Sequence, residues 1–131
     1  TLFRSWYKEV QYSFPRRGTA TVIDVYTGIS YNVDRVGGSK HADVEPLTKE
    51  DTAKLKASYG GAWSWDRRPV VVKINGEWIA GSINGMPHGY ETVPGNGMDG
   101  QVCIHFLNSR THIRDLADAR HQAMVRIAAG E

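Results

Sequence analysis

Two strand–turn–strand patterns constrain the fold of this chain more than any other feature of its sequence. The dipeptide Asn75-Gly76 separates two β-rich runs at residues 70–74 and 77–83, which is the strongest short signal for a two-residue β-hairpin. A second turn at Thr27-Gly28 separates the runs at residues 19–26 and 29–36. Because a hairpin pairs its two strands antiparallel, these patterns predict a core of antiparallel or mixed β-sheet.

Two helices are expected beside this sheet. Thr48, followed three residues later by Asp51, forms a variant of the capping box, and this predicts a helix over residues 48–58. A second helix is predicted over residues 115–129, where Gly130 ends it. The predicted fold class is therefore α+β, with a mostly antiparallel or mixed β core built from hairpins and two helices.

Charge and hydropathy exclude two classes of partner. The net charge is only +2 and the basic residues are scattered, so we expect no nucleic-acid-binding surface. No apolar run approaches the length of a membrane span, so no membrane crossing is expected. The 131 residues fit a single domain, 1–131, with residues 1–18 as a leading segment. Since the chain begins at Thr1 rather than at a methionine, we expect a fragment of a larger exported protein.

The single cysteine, Cys103, carries the strongest indication of a chemical function. A lone cysteine forms no disulfide within its own chain, so it serves packing, a partner or catalysis. Alternation along a predicted strand at residues 102–107 places Cys103 and His105 on one face, about 6–7 Å apart. His88 lies in a glycine-rich loop that can close on the same face. A histidine that takes up the thiol proton activates the sulfur, so we predict Cys103 as nucleophile and His105 or His88 as its base.

Further residues are expected to contact a substrate. Backbone N–H groups around Gly100 and Gln101 are predicted to stabilise an oxyanion, because a glycine lets the backbone approach a substrate closely. Arg110 follows the thiol strand and is expected to bind a substrate carboxylate. Trp65 either offers an aromatic face to a sugar ring or fills the core.

The pattern around the thiol resembles the catalytic domain of the L,D-transpeptidases of the YkuD type. Those enzymes carry a His-Gly pair at a strand end, here His88-Gly89, and further along a cysteine followed by an aliphatic residue, here Cys103-Ile104. The family's histidine two positions before the cysteine is Gln101 in this chain, and its following arginine is His105. The likeness covers about residues 70–127. It implies peptidoglycan remodelling through a cysteine acyl-enzyme on stem peptides, without a cofactor, in an extracellular or cell-envelope location.

Two alternatives remain open. His41 and Asp43, with His105 or His112, are ligand types that zinc takes, so a zinc-dependent peptidoglycan hydrolase is one alternative, although no established zinc motif is present. Because the side chain of Gln101 cannot act as a general base, the other alternative is a non-catalytic cell-wall-binding module. The stretches at residues 41–46 and 64–68 are also similar to uncharacterised bacterial cell-wall-associated domains. The sequence does not indicate whether the protein is a monomer or an oligomer.

Overall fold

In the computed structural model, which describes residues 1–131, six strands close into a barrel. The strands are β1 (Thr19–Asp24), β2 (Ser30–Gly37), β3 (Ala42–Pro46), β4 (Ser64–Ile74), β5 (Glu77–Gly85) and β6 (Val102–His105). Their order around the barrel is β1-β2-β3-β6-β5-β4, and β4 pairs again with β1. Every neighbouring pair is antiparallel. The predicted α+β class with a mostly antiparallel β core is confirmed.

Both predicted hairpins are confirmed. Asn75-Gly76 joins β4 to β5, and Ile74 pairs with Glu77 across the turn. The two turn residues have φ angles of 50° and 82°, and positive φ at both positions is what the tight hairpin turn requires of Asn and Gly. The turn at Thr27-Gly28 joins β1 to β2, where Ile23 pairs with Ser30.

Strand β4 is longer than the sequence predicts. The local pattern favours a strand only from residue 70, but β4 begins at Ser64 and its register with β5 shifts between Ser64 and Arg67. Two ion pairs hold this extension, Arg68 with Asp24 at 2.7 Å and Arg67 with Asp118 at 2.8 Å. Both carboxylates are distant in the chain, so the local pattern of residues 64–69 does not reveal the strand.

The structure has three helices: α1 (Gln11–Ser13), which continues a π-helical turn at Trp6–Val10, α2 (Lys49–Ser58) and α3 (Ala119–Ala128). At the start of α2, Thr48 and Asp51 exchange the two hydrogen bonds of a capping box, as predicted. The predicted start of the last helix at residue 115 is wrong, because the Asp118 side chain accepts a hydrogen bond from the His121 amide (2.9 Å) and caps α3 there. No helix in the structure is long and apolar enough to span a membrane.

The leading segment closes one part of the core. The core is a cluster of 19 buried residues drawn from all six strands, from α2 and from residues 1–18. Trp6, Val10 and Phe14 are fully buried in it, and the Trp6 ring stacks on Phe106 with their centroids 5.9 Å apart. Tyr12, in contrast, is 73% exposed, because it lies on the opposite side of the same helical turn.

Three adjacent strands, β3, β6 and β5, position the residues of interest. Asp43 pairs with Cys103 between β3 and β6, and Ser82 pairs with His105 between β5 and β6. Along β6, Val102 and Ile104 belong to the core, while Cys103 and His105 line a cavity on the other face. Strand alternation thus turns the thiol and the imidazole to the same side, as the sequence predicts.

Candidate functional site

A cavity of about 600 Å³ lies on this face of the barrel. Its lining includes eight of the ten residues that the sequence singles out: His41, Asp43, Trp65, His88, Gln101, Cys103, His105 and His112. Gly100 and Arg110 are not part of the lining. The fold therefore gathers into one cavity residues from β3, β4 and β6 and from the two loops that follow β5 and β6.

Cys103 and His88 are in hydrogen-bond contact. The sulfur of Cys103 lies 3.4 Å from Nε2 of His88. The other ring nitrogen, Nδ1, lies 2.7 Å from the carbonyl oxygen of Met86. A carbonyl only accepts hydrogen bonds, so Nδ1 carries the proton and the lone pair of Nε2 faces the thiol. This is the tautomer that a general base for Cys103 requires.

Backbone hydrogen bonds hold the loop that carries His88. The amide of His88 donates to the carbonyl of Gln101 (2.9 Å), and the amide of Gln101 donates to the carbonyl of His88 (2.7 Å). Gly100 has a φ angle of 107°, and a Cβ at this position would lie 2.7 Å from the His88 carbonyl oxygen. The ring of Trp65 packs on the His88 imidazole with centroids 5.0 Å apart. Gly100 and Trp65 therefore position the imidazole.

Asp43 and His41 lie on the other side of the sulfur. The thiol of Cys103 donates to Oδ1 of Asp43 at 3.3 Å, and Nε2 of His41 lies 3.1 Å from the same oxygen. Nδ1 of His41 lies 2.8 Å from the carbonyl oxygen of Arg110. Since both ring nitrogens face acceptors, both donate and His41 is an imidazolium.

The local pKa shifts agree with this charge assignment. Burial alone would lower the pKa of His41, but the hydrogen bonds to Asp43 and to the Arg110 carbonyl outweigh burial and leave the pKa raised. For Asp43, burial alone would raise the pKa, and the hydrogen bond from His41 outweighs it, so the pKa is lowered. His41 and Asp43 thus form a partly buried ion pair beside the thiol.

The resting thiol is protonated. Burial raises the pKa of Cys103 well above its ordinary value, and the negative charge of Asp43 raises it further. A hydrogen bond from the amide of Asn84 acts in the opposite direction. The sulfur therefore becomes a nucleophile only when its proton moves to a base, and His88 is the base within reach.

His105 occupies the middle of a stack of three imidazoles. Its ring lies 4.6 Å from that of His41 and 3.8 Å from that of His121, both nearly parallel. Burial, together with the neighbouring His121 and His41, strongly lowers the pKa of His105, so its ring is neutral. Its Nδ1 atom is buried without a hydrogen-bond partner. Of the two bases predicted for Cys103, the structure places His88 and not His105 in contact with the sulfur.

The expected substrate contacts are changed in two places. The amide of Gln101 is taken by the His88 carbonyl, and its side chain donates to the carbonyl of Tyr90 at 3.0 Å, so neither group is free to bind an oxyanion. The guanidinium of Arg110 turns away from the cavity and contacts Asp115. The contribution of Arg110 to the site is its backbone carbonyl, which holds His41.

The metal ligands expected from the sequence are also rearranged. The ligand atoms of His41, Asp43 and Cys103 lie within 4.8 Å of one another. The predicted set of His41 and Asp43 with His105 or His112 does not form this cluster, because His105 is stacked between two rings and His112 is exposed on the cavity wall. The sulfur of Cys103 takes the third position instead.

Sequence reasoning missed Asn84 and His121. Asn84 is 5% exposed, lies beside the sulfur, and leaves its Oδ1 atom buried without a partner. His121, on α3, is 4% exposed, and its Nδ1 lies 2.7 Å from the hydroxyl of Ser82. Burial lowers the pKa of His121 to about 3. The available signal for Asn84 was on β5, where Ser82 and Asn84 are the only polar residues after Glu77 and alternate along the strand.

Comparison with known proteins adds no assignment to this geometry. No protein-family model, no curated protein and no solved structure matches the chain. The contacts of Cys103 with His88 and with Asp43 are therefore the observations that bear on function.

Proposed function

We propose that this protein is a cysteine acyltransferase or peptidase that remodels peptidoglycan, with Cys103 as nucleophile and His88 as general base and acid. The observation that carries the proposal is the 3.4 Å contact between the Cys103 sulfur and Nε2 of a His88 ring whose Nδ1 is held by the Met86 carbonyl. A nucleophile, a base in contact with it and a third group that orients the base are the parts that covalent catalysis needs.

The reaction follows from these positions. The thiol proton, which is donated to Asp43 at rest, turns to Nε2 of His88, and His88 takes it as the sulfur attacks the carbonyl carbon of a substrate amide. The C–N bond then breaks, His88 returns the proton to the leaving amine, and the acyl group remains on Cys103 as a thioester. An incoming amine or water gives its proton to His88 and attacks the thioester, the C–S bond breaks, and the proton returns to the sulfur. An amine completes a transpeptidation and water completes a hydrolysis.

Asn84 replaces the backbone amides as the proposed oxyanion donor. Its amide group already points towards the sulfur, where it lowers the thiol pKa. A neutral donor that is buried beside the nucleophile stabilises the negative oxygen of the tetrahedral intermediate without reorganising. The backbone amide of Gln101, which was expected in this role, donates its hydrogen bond to the His88 carbonyl instead.

The substrate class is proposed from the shape of the cavity and from the family likeness. The cavity has a mouth where Trp65, Tyr90 and Ile113 are exposed, and these side chains suit an extended peptide with attached sugar. The resemblance of His88-Gly89 and Cys103-Ile104 to the L,D-transpeptidases adds peptidoglycan stem peptides as substrates and the cell envelope or the extracellular space as location.

Mass spectrometry of the intact protein tests the proposal. We expect incubation with purified muropeptides to add an acyl group to Cys103, and digestion of the adduct to locate it on that residue. Cys103→Ser should give no adduct, and His88→Ala should give it far more slowly. A wild-type protein that forms neither an adduct nor a cross-linked or trimmed muropeptide would overturn the proposal, as would equal turnover by Cys103→Ser.

A further inference from the structure

We infer that His41, Asp43 and Cys103 form a binding site for a zinc ion, and that the bound ion holds the thiol in an inactive state. The metal site itself is independent of the acyl-transfer proposal; only its inhibitory consequence rests on that proposed function. The three side chains supply one imidazole nitrogen, one carboxylate oxygen and one sulfur, which are the ligand types that zinc prefers.

Two of the three distances between the ligand atoms are close to those of a tetrahedral zinc site, and all three atoms lie within 4.8 Å of one another. Zinc lies about 2.3 Å from sulfur and about 2.0–2.2 Å from nitrogen or oxygen, which sets ligand–ligand distances of about 3.4–3.6 Å. In the structure, Oδ1 of Asp43 lies 3.3 Å from the Cys103 sulfur and 3.1 Å from Nε2 of His41. These two distances need to open by only about 0.3 Å to admit the ion.

The surrounding structure presents these ligands rigidly. Asp43 and Cys103 are direct partners on neighbouring strands, β3 and β6. Nδ1 of His41 is held by the Arg110 carbonyl at 2.8 Å, so Nε2 is the atom directed at the cluster. A histidine ligand that donates its other N–H to a carbonyl is the usual outer-shell arrangement of protein metal sites, because it fixes the ring and its tautomer.

A fourth ligand position opens towards the cavity. The Oδ1 atom of Asn84 is buried, has no partner and lines the same cavity, so it can accept a hydrogen bond from a metal-bound water. A water completes four-coordination, and the unpartnered Asn84 oxygen is independent evidence of a polar occupant.

Binding of the ion is a proton exchange without redox change. The Cys103 thiol loses its proton to form a sulfur–zinc bond, His41 loses the proton on Nε2 to form a nitrogen–zinc bond, and the Asp43 carboxylate binds directly. The sulfur lone pair is then donated to zinc and no longer attacks a carbonyl. Metal loading therefore switches the proposed nucleophile off, and chelation restores it.

Cobalt(II) titration of the metal-free, reduced protein tests the site, because cobalt reports a thiolate ligand directly in its absorption spectrum. We expect one cobalt per chain, with a near-ultraviolet thiolate-to-cobalt charge-transfer band and the intense visible bands of tetrahedral cobalt, both displaced by zinc. Cys103→Ser should lose the charge-transfer band. Asp43→Asn and His41→Gln should weaken binding by at least the roughly 10- to 100-fold that outer-shell changes cost in metal sites.

The matched control is His112→Ala, which removes a histidine of the same cavity wall that lies outside the cluster. We expect it to bind cobalt as the wild type does. Absence of the thiolate band in the wild type, or unchanged binding by Asp43→Asn that retains the wild-type circular dichroism, would overturn the site. If His41→Gln fails to fold, Asp43→Asn carries this comparison alone.

A second experiment separates failure of the metal site from failure of the proposed function. Alkylation of Cys103 by iodoacetamide is measured with chelator and with one equivalent of zinc, beside the muropeptide assay. Zinc should protect the thiol and suppress turnover together. A protein that binds cobalt through Cys103 but never processes muropeptides retains the metal site and loses the acyl-transfer proposal. A protein that turns over muropeptides equally with and without zinc loses the inhibitory role.

Discussion

Asp43 and Cys103 face each other across two neighbouring strands, and a carboxylate oxygen of Asp43 accepts the thiol hydrogen bond at 3.3 Å. This contact places a negative charge beside the sulfur and opposes its ionisation. The same contact brings a hard oxygen and a soft sulfur within reach of one ion. Asp43 is therefore the residue that most strongly links thiol reactivity to metal binding.

Replacement of Asp43 should make the thiol more reactive. In Asp43→Asn the negative charge that raises the Cys103 pKa is removed, so the thiolate fraction at neutral pH rises. We expect iodoacetamide to modify this variant severalfold faster than the wild type at pH 7 in the presence of chelator, measured by intact mass over time. Slower modification of a folded Asp43→Asn would contradict the charge assignment, and Cys103→Ser serves as the blank.

Replacement of His88 should slow the transfer of the thiol proton. We expect His88→Ala to lower the rate of acyl transfer by about 100- to 10,000-fold, the usual contribution of a positioned general base. The rate of the variant should then rise with pH towards the pH range in which the thiol ionises without help, while the wild type should not show this dependence. The pH–rate profile separates this role from a structural one, because loss of a packing contact alone would scale the rate equally at every pH.

The leading segment should contribute strongly to stability. Trp6 is fully buried, stacks on Phe106 and donates from Nε1 to the carbonyl of Ser39 at 2.9 Å. We expect Trp6→Ala to lower the free energy of unfolding by about 3–5 kcal/mol. Tyr12→Ala, in the same segment but 73% exposed, should change it by less than about 0.5 kcal/mol. Urea unfolding of both variants gives the comparison, and equal effects would contradict the described burial.

Acid should weaken the ion pair between Asp24 and Arg68. Asp24 is 1% exposed; burial alone would raise its pKa, but hydrogen bonds from Arg68 and Thr27 outweigh burial and lower it. A carboxyl whose pKa is lowered on folding contributes stability above its unfolded pKa of about 3.9, and the contribution is lost as pH falls through the lower folded value. We expect Asp24→Asn to cost about 1.5–3 kcal/mol at neutral pH.

This prediction is tested by urea unfolding curves of the wild type and Asp24→Asn, measured from neutral pH to below the ordinary pKa of an aspartate side chain. The free-energy difference between the wild type and Asp24→Asn should shrink as the pH falls below about 4. A difference that stays constant down to the lowest pH would show that the hydrogen bonds of Asp24 do not depend on its charge.

Zinc binding should release about two protons per ion, one from the Cys103 thiol and one from the His41 imidazolium. Both ring nitrogens of His41 donate in the metal-free protein, so one of these protons must leave when Nε2 binds zinc. Calorimetric titration in buffers of different ionisation enthalpy measures the number released. Release of about one proton would show that His41 is neutral before zinc binds, contrary to its hydrogen bonds.

Much of the fold could be predicted from local signals. Asn75-Gly76 favours a turn typical of hairpins, and Thr48 with Asp51 indicates where a helix begins, so these elements follow from a few neighbouring residues. The early start of β4 could not be predicted in this way. The extension of β4 depends on ion pairs of Arg67 with Asp118 and of Arg68 with Asp24. Because these partners are far apart in the chain, they leave no periodic pattern in residues 64–69.

The site also contains residues that local patterns predict and residues that only long-range contacts position. Cys103 and His105 follow from alternation within a single strand, which is local. His88, not His105, contacts the sulfur because backbone hydrogen bonds with Gln101 fold the His88 loop back over it. The position of Asn84 beside the sulfur depends on the register between β5 and β6. His121 appears as an ordinary helix residue until α3 packs against the barrel, where its ring stacks on His105.

The closed barrel has a consequence for the order of events in folding. Asp43 and Cys103 are 60 residues apart in the chain, and they meet only when β3 pairs with β6, whereas β4 and β5, which lie between them, pair across a short turn. Pairing of strands so far apart in the chain is slow, because the entropy of loop closure is lost before the stabilising contacts form. We therefore expect the thiol to stay exposed and open to oxidation during synthesis and refolding until β3 pairs with β6. Pulsed alkylation of Cys103 during refolding should therefore report when β3 pairs with β6.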